Sequence, residues 1–125
     1  MREHNIQGIS GSSRYYFVNG MRGHSAISNI TRLEGDVYLI ERTKDRPDLR
    51  VLIADIYIAG EADIIEILNN HPDIDCIVLV GFYNRYSYAA KEYATMSNVG
   101  LYDNREFWGA VNCTGPLFLK YKKKE

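Results

Sequence analysis

The sequence DVYLIERTKDRPDLRVLIADIYIA, residues 36–59, predicts two β-strands joined by a turn. Residues 36–41 and 50–59 are rich in branched and aromatic side chains, which favour β-strands. Between them, the polar residues 44–48 contain Pro47 and are typical of a turn. The pattern therefore predicts two strands that pair as an antiparallel hairpin, and Gly60 is expected to end the second strand.

After the hairpin, helical and strand patterns alternate along the chain. Residues 61–70 carry apolar side chains at helical spacing, with acidic residues in the first turn, and therefore predict a helix. Residues 76–80 are almost all apolar, as expected of a strand that is covered on both faces. A helix over residues 86–97, a strand over 99–102 and a helix from Asp103 or Asn104 to Asn112 are predicted next. This alternation indicates a parallel or mixed sheet with flanking helices, an α/β fold.

The two ends of the chain give weaker patterns. Residues 1–13 contain glycines and serines, and we interpret them as a flexible N-terminal segment. Residues 14–18 (RYYFV) predict a strand that leads into a turn, whereas residues 21–35 fit either a short helix or a strand. A last short strand is predicted over residues 117–121. Residues 14–121 are therefore predicted to form a single domain, followed by a basic tail over residues 122–125.

Composition limits the classes of function. A length of 125 residues suits one domain, and 46% apolar with 25% charged residues is ordinary for a folded protein. The 15 basic and 16 acidic side chains nearly cancel, so the whole molecule has no strong attraction for nucleic acid or for a membrane. No apolar run approaches the roughly 20 residues that span a bilayer. The two cysteines are too few for a disulfide framework, and the start of the chain does not resemble a secretory signal, so we expect a cytoplasmic protein.

Two blocks of sequence resemble one protein family. Residues 35–37 (GDV) and 52–57 (LIADIY) resemble the core hairpin of the PD-(D/E)xK nuclease superfamily. Residues 86–94 (YSYAAKEYA), together with residues 99–107, are similar to the Mrr-like branch of that superfamily. The resemblance covers about residues 35–112. It implies a restriction-endonuclease-like α/β fold, that is, a mixed sheet with an antiparallel hairpin and flanking helices.

The resemblance also implies a chemistry, the Mg²⁺-dependent hydrolysis of phosphodiesters in nucleic acid. Asp36 and Asp55 correspond to the two acids that hold the metal in this family, and Mg²⁺ prefers such oxygen ligands. Glu41 or Glu66 is a candidate for a further ligand. Tyr57 lies where the family has its catalytic lysine, and a tyrosine is neutral near pH 7. The predicted catalytic residues are therefore Asp36, Asp55 and Tyr57.

Two other interpretations remain open at this stage. The absent lysine favours a catalytically inactive relative that binds nucleic acid or a protein partner, with a homodimer as one form. Tyrosines between Phe82 and Tyr93, near Arg85 and Lys91, fit either a stacking surface for single-stranded nucleic acid or the buried side of a helix. The other alternative is an unrelated doubly wound domain with a ligand at the carboxyl ends of its strands.

Overall fold

The structure, a computed structural model, describes residues 6–122, with side chains from residue 8 onward. It contains, in chain order, β1 (Ile6–Gln7), α1 (Gly11–Arg22), β2 (Ile27–Glu34), β3 (Val37–Arg42), β4 (Leu49–Ile56), β5 (Ile58–Ala59), α2 (Glu61–Asn70), β6 (Cys76–Leu79), β7 (Arg85–Tyr86), α3 (Tyr88–Met96), β8 (Gly100–Asp103), α4 (Asn104–Ala110) and α5 (Gly115–Leu119). None of the helices between residues 6 and 122 is long and apolar enough to cross a membrane.

A mixed sheet forms the centre of the fold, with its five main strands in the order β2-β3-β4-β6-β8. Strands β2, β3 and β4 pair antiparallel, and Val37 lies opposite Leu52 in the hairpin. Strands β4, β6 and β8 pair parallel. The short β1 extends the sheet beside the end of β4, while β5 and β7 form a separate two-stranded parallel pair. The predicted hairpin and the mixed α/β architecture are confirmed.

Each face of the sheet packs against its own set of helices, with α1, α4 and α5 on one face and α2 and α3 on the other. Because side chains alternate along a strand, neighbouring residues of one strand contribute to different cores. On one face, Phe17 of α1 and Phe107 of α4 share a core with the strand residues Tyr38 and Ile53. On the other face, α2 and α3 pack against Leu52, Ala54 and Ile77. The fully buried Ala90 and Ala94 face this second core, and their small side chains let α3 approach the sheet closely.

The strand predicted over residues 14–18 is wrong, because these residues lie inside α1. The hydroxyl oxygen of Ser10 accepts a hydrogen bond from the backbone N–H of Ser13 and so caps this helix. Phe17 and Met21, four residues apart, bury the same side of the helix. Helical spacing therefore outweighs the β-propensity of the RYYFV segment. The first turn of α1 and strand β1 both lie within the segment that we interpret as flexible.

Two other segments with weak sequence patterns, residues 21–35 and 117–121, form regular secondary structure. Residues 21–35, which fit a helix or a strand, contain the end of α1 and then strand β2. The strand predicted over residues 117–121 is wrong, because α5 covers Gly115–Leu119. Pro116 lies in the first turn of α5, where its fixed φ suits a helix. Phe118 is buried against Tyr102, with the two rings edge to face at 5.7 Å, and the hydroxyl of Tyr102 donates a hydrogen bond to the carbonyl of Phe118. Leu119 packs on the same core, so these contacts attach this helix to the sheet.

Candidate functional site

A groove of about 1250 Å³ opens where the parallel strands β4, β6 and β8 end. Ligands of open α/β sheets commonly bind at the carboxyl ends of the strands. The groove exceeds the roughly 300–1,000 Å³ of a typical pocket for one small ligand, so it has room for a polymer segment. Its lining consists of Ser12, Ser13 and Tyr16 of α1, Tyr57, residues 80–85 and residues 103–105.

Four exposed aromatic side chains line this groove, and we call Tyr16, Tyr57, Phe82 and Tyr83 the aromatic rim. Phe82 is 88% exposed and Tyr16 is 77% exposed, values that are unusual for large apolar side chains. Phe82 and Tyr83 are neighbours in the loop after β6, with ring centroids 4.9 Å apart and an interplanar angle of 76°. Contiguous exposed apolar surface usually marks a binding site.

The charges in the groove favour an anionic ligand. Arg85 and Arg105 line it, and both side chains are exposed. The one ion pair within residues 6–122 joins Arg14 to Asp36, so no described carboxylate neutralises either groove arginine. Asp103 also lines the groove, but its Oδ1 accepts a hydrogen bond from the backbone N–H of Glu106 at 2.8 Å and caps α4. The described residues that line the groove therefore carry two positive charges and one negative charge.

Asn84 fixes the loop that carries Phe82 and Tyr83. Its Oδ1 accepts hydrogen bonds from the backbone N–H groups of Ile56 and Gly81, at 3.0 and 2.9 Å. Its Nδ2 donates to Oδ1 of Asp55 at 3.0 Å. Two of these hydrogen bonds attach the loop to the end of β4, and the third closes the turn from Gly81 to Asn84, so the aromatic side chains stand on an anchored loop.

Gly81 is required for this arrangement because a larger residue has no room. A Cβ atom at this position would lie 2.4 Å from both Asn84 Nδ2 and Asp55 Oδ1, far inside van der Waals contact. Asp55 therefore supports the groove from behind. It contacts two lining residues but is not itself among the residues that line the groove.

Asp36 forms an ion pair with Arg14, and its side chain is 43% exposed. Nη2 of Arg14 lies 2.6 Å from Oδ1 of Asp36, and Nη1 donates to the hydroxyl of Tyr38 at 2.9 Å. The hydrogen bond to Asp36, followed by that to Tyr38, raises the pKa of Arg14 above its ordinary value. A permanent protein cation therefore already neutralises the first of the two predicted metal ligands.

The two predicted metal ligands nevertheless share one face of the sheet. The backbone N–H of Ile53 donates to the carbonyl of Asp36 at 3.0 Å, which places Asp36 in register with β4. Tyr38 and Ile53, each two residues from one of the acids, belong to the same core cluster, so Asp36 and Asp55 lie on that face too. Within residues 6–122, however, no group of three or more His, Cys, Asp or Glu side chains is arranged to hold a metal ion.

The other predicted residues lie in different environments. Tyr57 is half exposed on the aromatic rim. Glu41 accepts a hydrogen bond from Asn29 at 2.9 Å and lies five residues along the hairpin from Asp36, a separation of roughly 16 Å in an extended strand. Glu66 belongs to α2, which packs on the opposite face of the sheet from Asp36 and Asp55. Neither glutamate is therefore placed to share a metal site with the two aspartates.

Lys91 and Tyr86, which the sequence suggested as part of a stacking surface, point inward. The ammonium group of Lys91 donates to the carbonyl of Leu101 at 2.7 Å and lies 3.8 Å from the ring centroid of Tyr102, and burial lowers its pKa. The hydroxyl of Tyr86 donates to the carboxylate of Glu106 at 2.8 Å, and burial, then this hydrogen bond, raises its pKa. Lys91 thus covers the edge strand β8, and neither residue lines the groove.

Sequence reasoning missed the contribution of α1 to the groove. Tyr16, Ser12 and Ser13 reach it only because residues 11–22 are helical, which the sequence pattern did not indicate. We found no match to this chain among protein-family models, among curated proteins or among solved structures. We therefore infer the function from the geometry of the groove itself.

Proposed function

We propose that this protein is a catalytically inactive nuclease-fold module that binds nucleic acid in the groove at the carboxyl ends of its parallel strands. One observation carries the proposal, namely that four exposed aromatic side chains and two arginines line the same groove. Aromatic rings stack with bases, and guanidinium groups pair with phosphates. A nucleic acid is the polymer that presents both kinds of group at short intervals.

The nuclease-fold part of the proposal rests on the hairpin. The mixed sheet, the antiparallel pair β3-β4 with Asp36 directly before β3 and Asp55 in β4, and the flanking helices all agree with the resemblance to the PD-(D/E)xK superfamily. The inactive part rests on two features. Arg14 pairs with Asp36, and Tyr57, an uncharged side chain, stands where that family has a lysine.

Reversing the charge of either groove arginine is expected to weaken binding. Arg85→Glu and Arg105→Glu should each raise the Kd for fluorescently labelled DNA or RNA by about tenfold or more, because each removes a charge-assisted contact worth roughly 1.5–3 kcal/mol. Fluorescence anisotropy at fixed salt measures this effect. Arg50→Glu is the matched control, since Arg50 is exposed at the amino end of β4, away from the groove. An equal loss in all three variants would contradict the proposed location.

A second candidate function is metal-dependent hydrolysis of nucleic acid, and the shared sheet face of Asp36 and Asp55 favours it. Under this alternative, the protein cleaves labelled DNA or RNA in Mg²⁺ or Mn²⁺, and Asp55→Asn abolishes cleavage. The amide oxygen of the variant still accepts the hydrogen bond from Asn84, so the loop is expected to hold. Our primary proposal expects no cleavage and no metal-dependent shift in Tm. Cleavage that persists equally in the variant would contradict the assignment of Asp55.

A further inference from the structure

The aromatic rim bears on the form of nucleic acid that the groove accepts. In a duplex the faces of the bases are covered by their neighbours, so exposed rings of a protein find no free base faces there. Unpaired bases present both faces, and stacking on aromatic side chains is the usual means of binding single strands. A rim of four exposed rings therefore suits unpaired bases better than a helix.

The charge distribution leads to the same conclusion. Proteins that bind duplex DNA tightly neutralise many phosphates, commonly 6–10 of them. Within the part of the chain whose side chains the structure describes, residues 8–122, Arg85 and Arg105 are the only basic residues that line the groove, and the chain carries a net charge of −1. Two phosphate contacts are few for a duplex, but they are sufficient when base stacking provides the rest of the affinity.

The geometry of the loop also favours a single strand over a duplex. Phe82 and Tyr83 are nearly perpendicular, so their faces point in different directions and cannot both join one continuous base stack. A strand that uses both rings must turn between two bases, which a flexible single strand does easily. Asn84 holds the loop by three hydrogen bonds, so the loop loses little conformational entropy when the nucleic-acid strand binds.

On these grounds, and resting on the proposed function, we infer that the groove binds single-stranded nucleic acid. Bases stack on Phe82, Tyr83 and Tyr16, and the phosphates between them contact Arg85 and Arg105. With two phosphate contacts, the slope of log K against log salt concentration is about −1.4 for a single strand. This slope is much shallower than that of a typical duplex-binding protein.

The test compares a labelled 12-nucleotide single strand, as DNA and as RNA, with the corresponding duplex. We expect the single strand to bind at least tenfold more tightly. Phe82→Ala and Tyr83→Ala should each weaken its binding by about 5- to 100-fold, whereas Tyr83→Phe, which keeps the ring, should bind nearly as the parent does. Leu117→Ala is the control, because Leu117 is an equally exposed apolar side chain on α5, outside the groove.

Stacking itself is detected with Tyr83→Trp. Binding of the single strand should quench the fluorescence of the tryptophan introduced at this position. Trp108, the one native tryptophan, does not line the groove and gives the background in the parent protein. Equal or tighter binding of the duplex, with no effect of Phe82→Ala or Tyr83→Ala, would overturn the inference and leave nucleic-acid binding intact. Failure of both forms to bind would overturn the proposed function as well, and would point to a protein partner for the aromatic rim.

Discussion

Replacing Gly81 with alanine is expected to lower the free energy of unfolding by about 2–4 kcal/mol and to abolish tight binding in the groove. The new Cβ would lie 2.4 Å from Asn84 Nδ2 and Asp55 Oδ1, so the Asn84 side chain must move. Overpacking typically costs about 1–3 kcal/mol, and each hydrogen bond that Asn84 loses adds about 0.5–1.5 kcal/mol. Urea denaturation measures the stability, and anisotropy with a labelled single strand measures the binding.

The binding loss has a separate cause from the loss of stability. Asn84 anchors the loop that carries Phe82 and Tyr83, so once its hydrogen bonds break, the rings lose their fixed position even in molecules that remain folded. Gly11→Ala is the matched control, because a Cβ at Gly11 meets no atom within 4 Å, and alanine favours a helix more than glycine does. If Gly81→Ala were as stable and bound as tightly as Gly11→Ala, the anchoring role of Asn84 would be wrong.

The parts of the fold that could be predicted from the sequence are those with a clear local pattern. Strands β3 and β4 and helix α2 each carry a regular repeat of apolar residues, and a polar turn or a glycine separates one from the next. Helix α1 has no clear helical pattern in its sequence, because the aromatic residues of RYYFV favour a strand by propensity. Its helical state depends on the burial of Phe17 and Met21 against a core built from distant strands.

The candidate site was harder to predict because it joins segments that are far apart in sequence. Asp36, Asp55 and Tyr57 could be selected from the hairpin alone, and two of the three do share a sheet face. The ion pair between Arg14 and Asp36 spans 22 residues and exists only because α1 packs against that face. Likewise, the groove brings together α1, Tyr57 directly after β4, the segment from the end of β6 to β7, and the junction of β8 with α4. No local pattern contains that information.

The buried Arg42 has a different role from the groove arginines. Its Nε donates to the carbonyl of Pro47 at 2.8 Å, and its Nη1 donates to the carbonyls of Val111 and Cys113 at 3.0 and 2.7 Å. The guanidinium group therefore connects the hairpin turn to the chain that follows α4. Burial, its largest influence, lowers the pKa of Arg42, which reflects how little water reaches this group.

Arg42→Ala is expected to lower the free energy of unfolding by about 3–5 kcal/mol, because three carbonyl groups lose a charged donor. Each such hydrogen bond contributes about 1.5–3 kcal/mol, and water that reaches the freed carbonyl groups recovers part of the loss. Arg46→Ala is the control. Among the described residues, the guanidinium group of Arg46 makes one hydrogen bond outside its own turn, to the carbonyl of Asn112. This variant should lose under about 1 kcal/mol of unfolding free energy in urea denaturation. Affinity for a single strand should stay unchanged in folded Arg42→Ala, because Arg42 lies outside the groove. A large loss of affinity, measured under conditions in which the Arg42→Ala protein is folded, would contradict this prediction and would show that the groove depends on the contacts of Arg42.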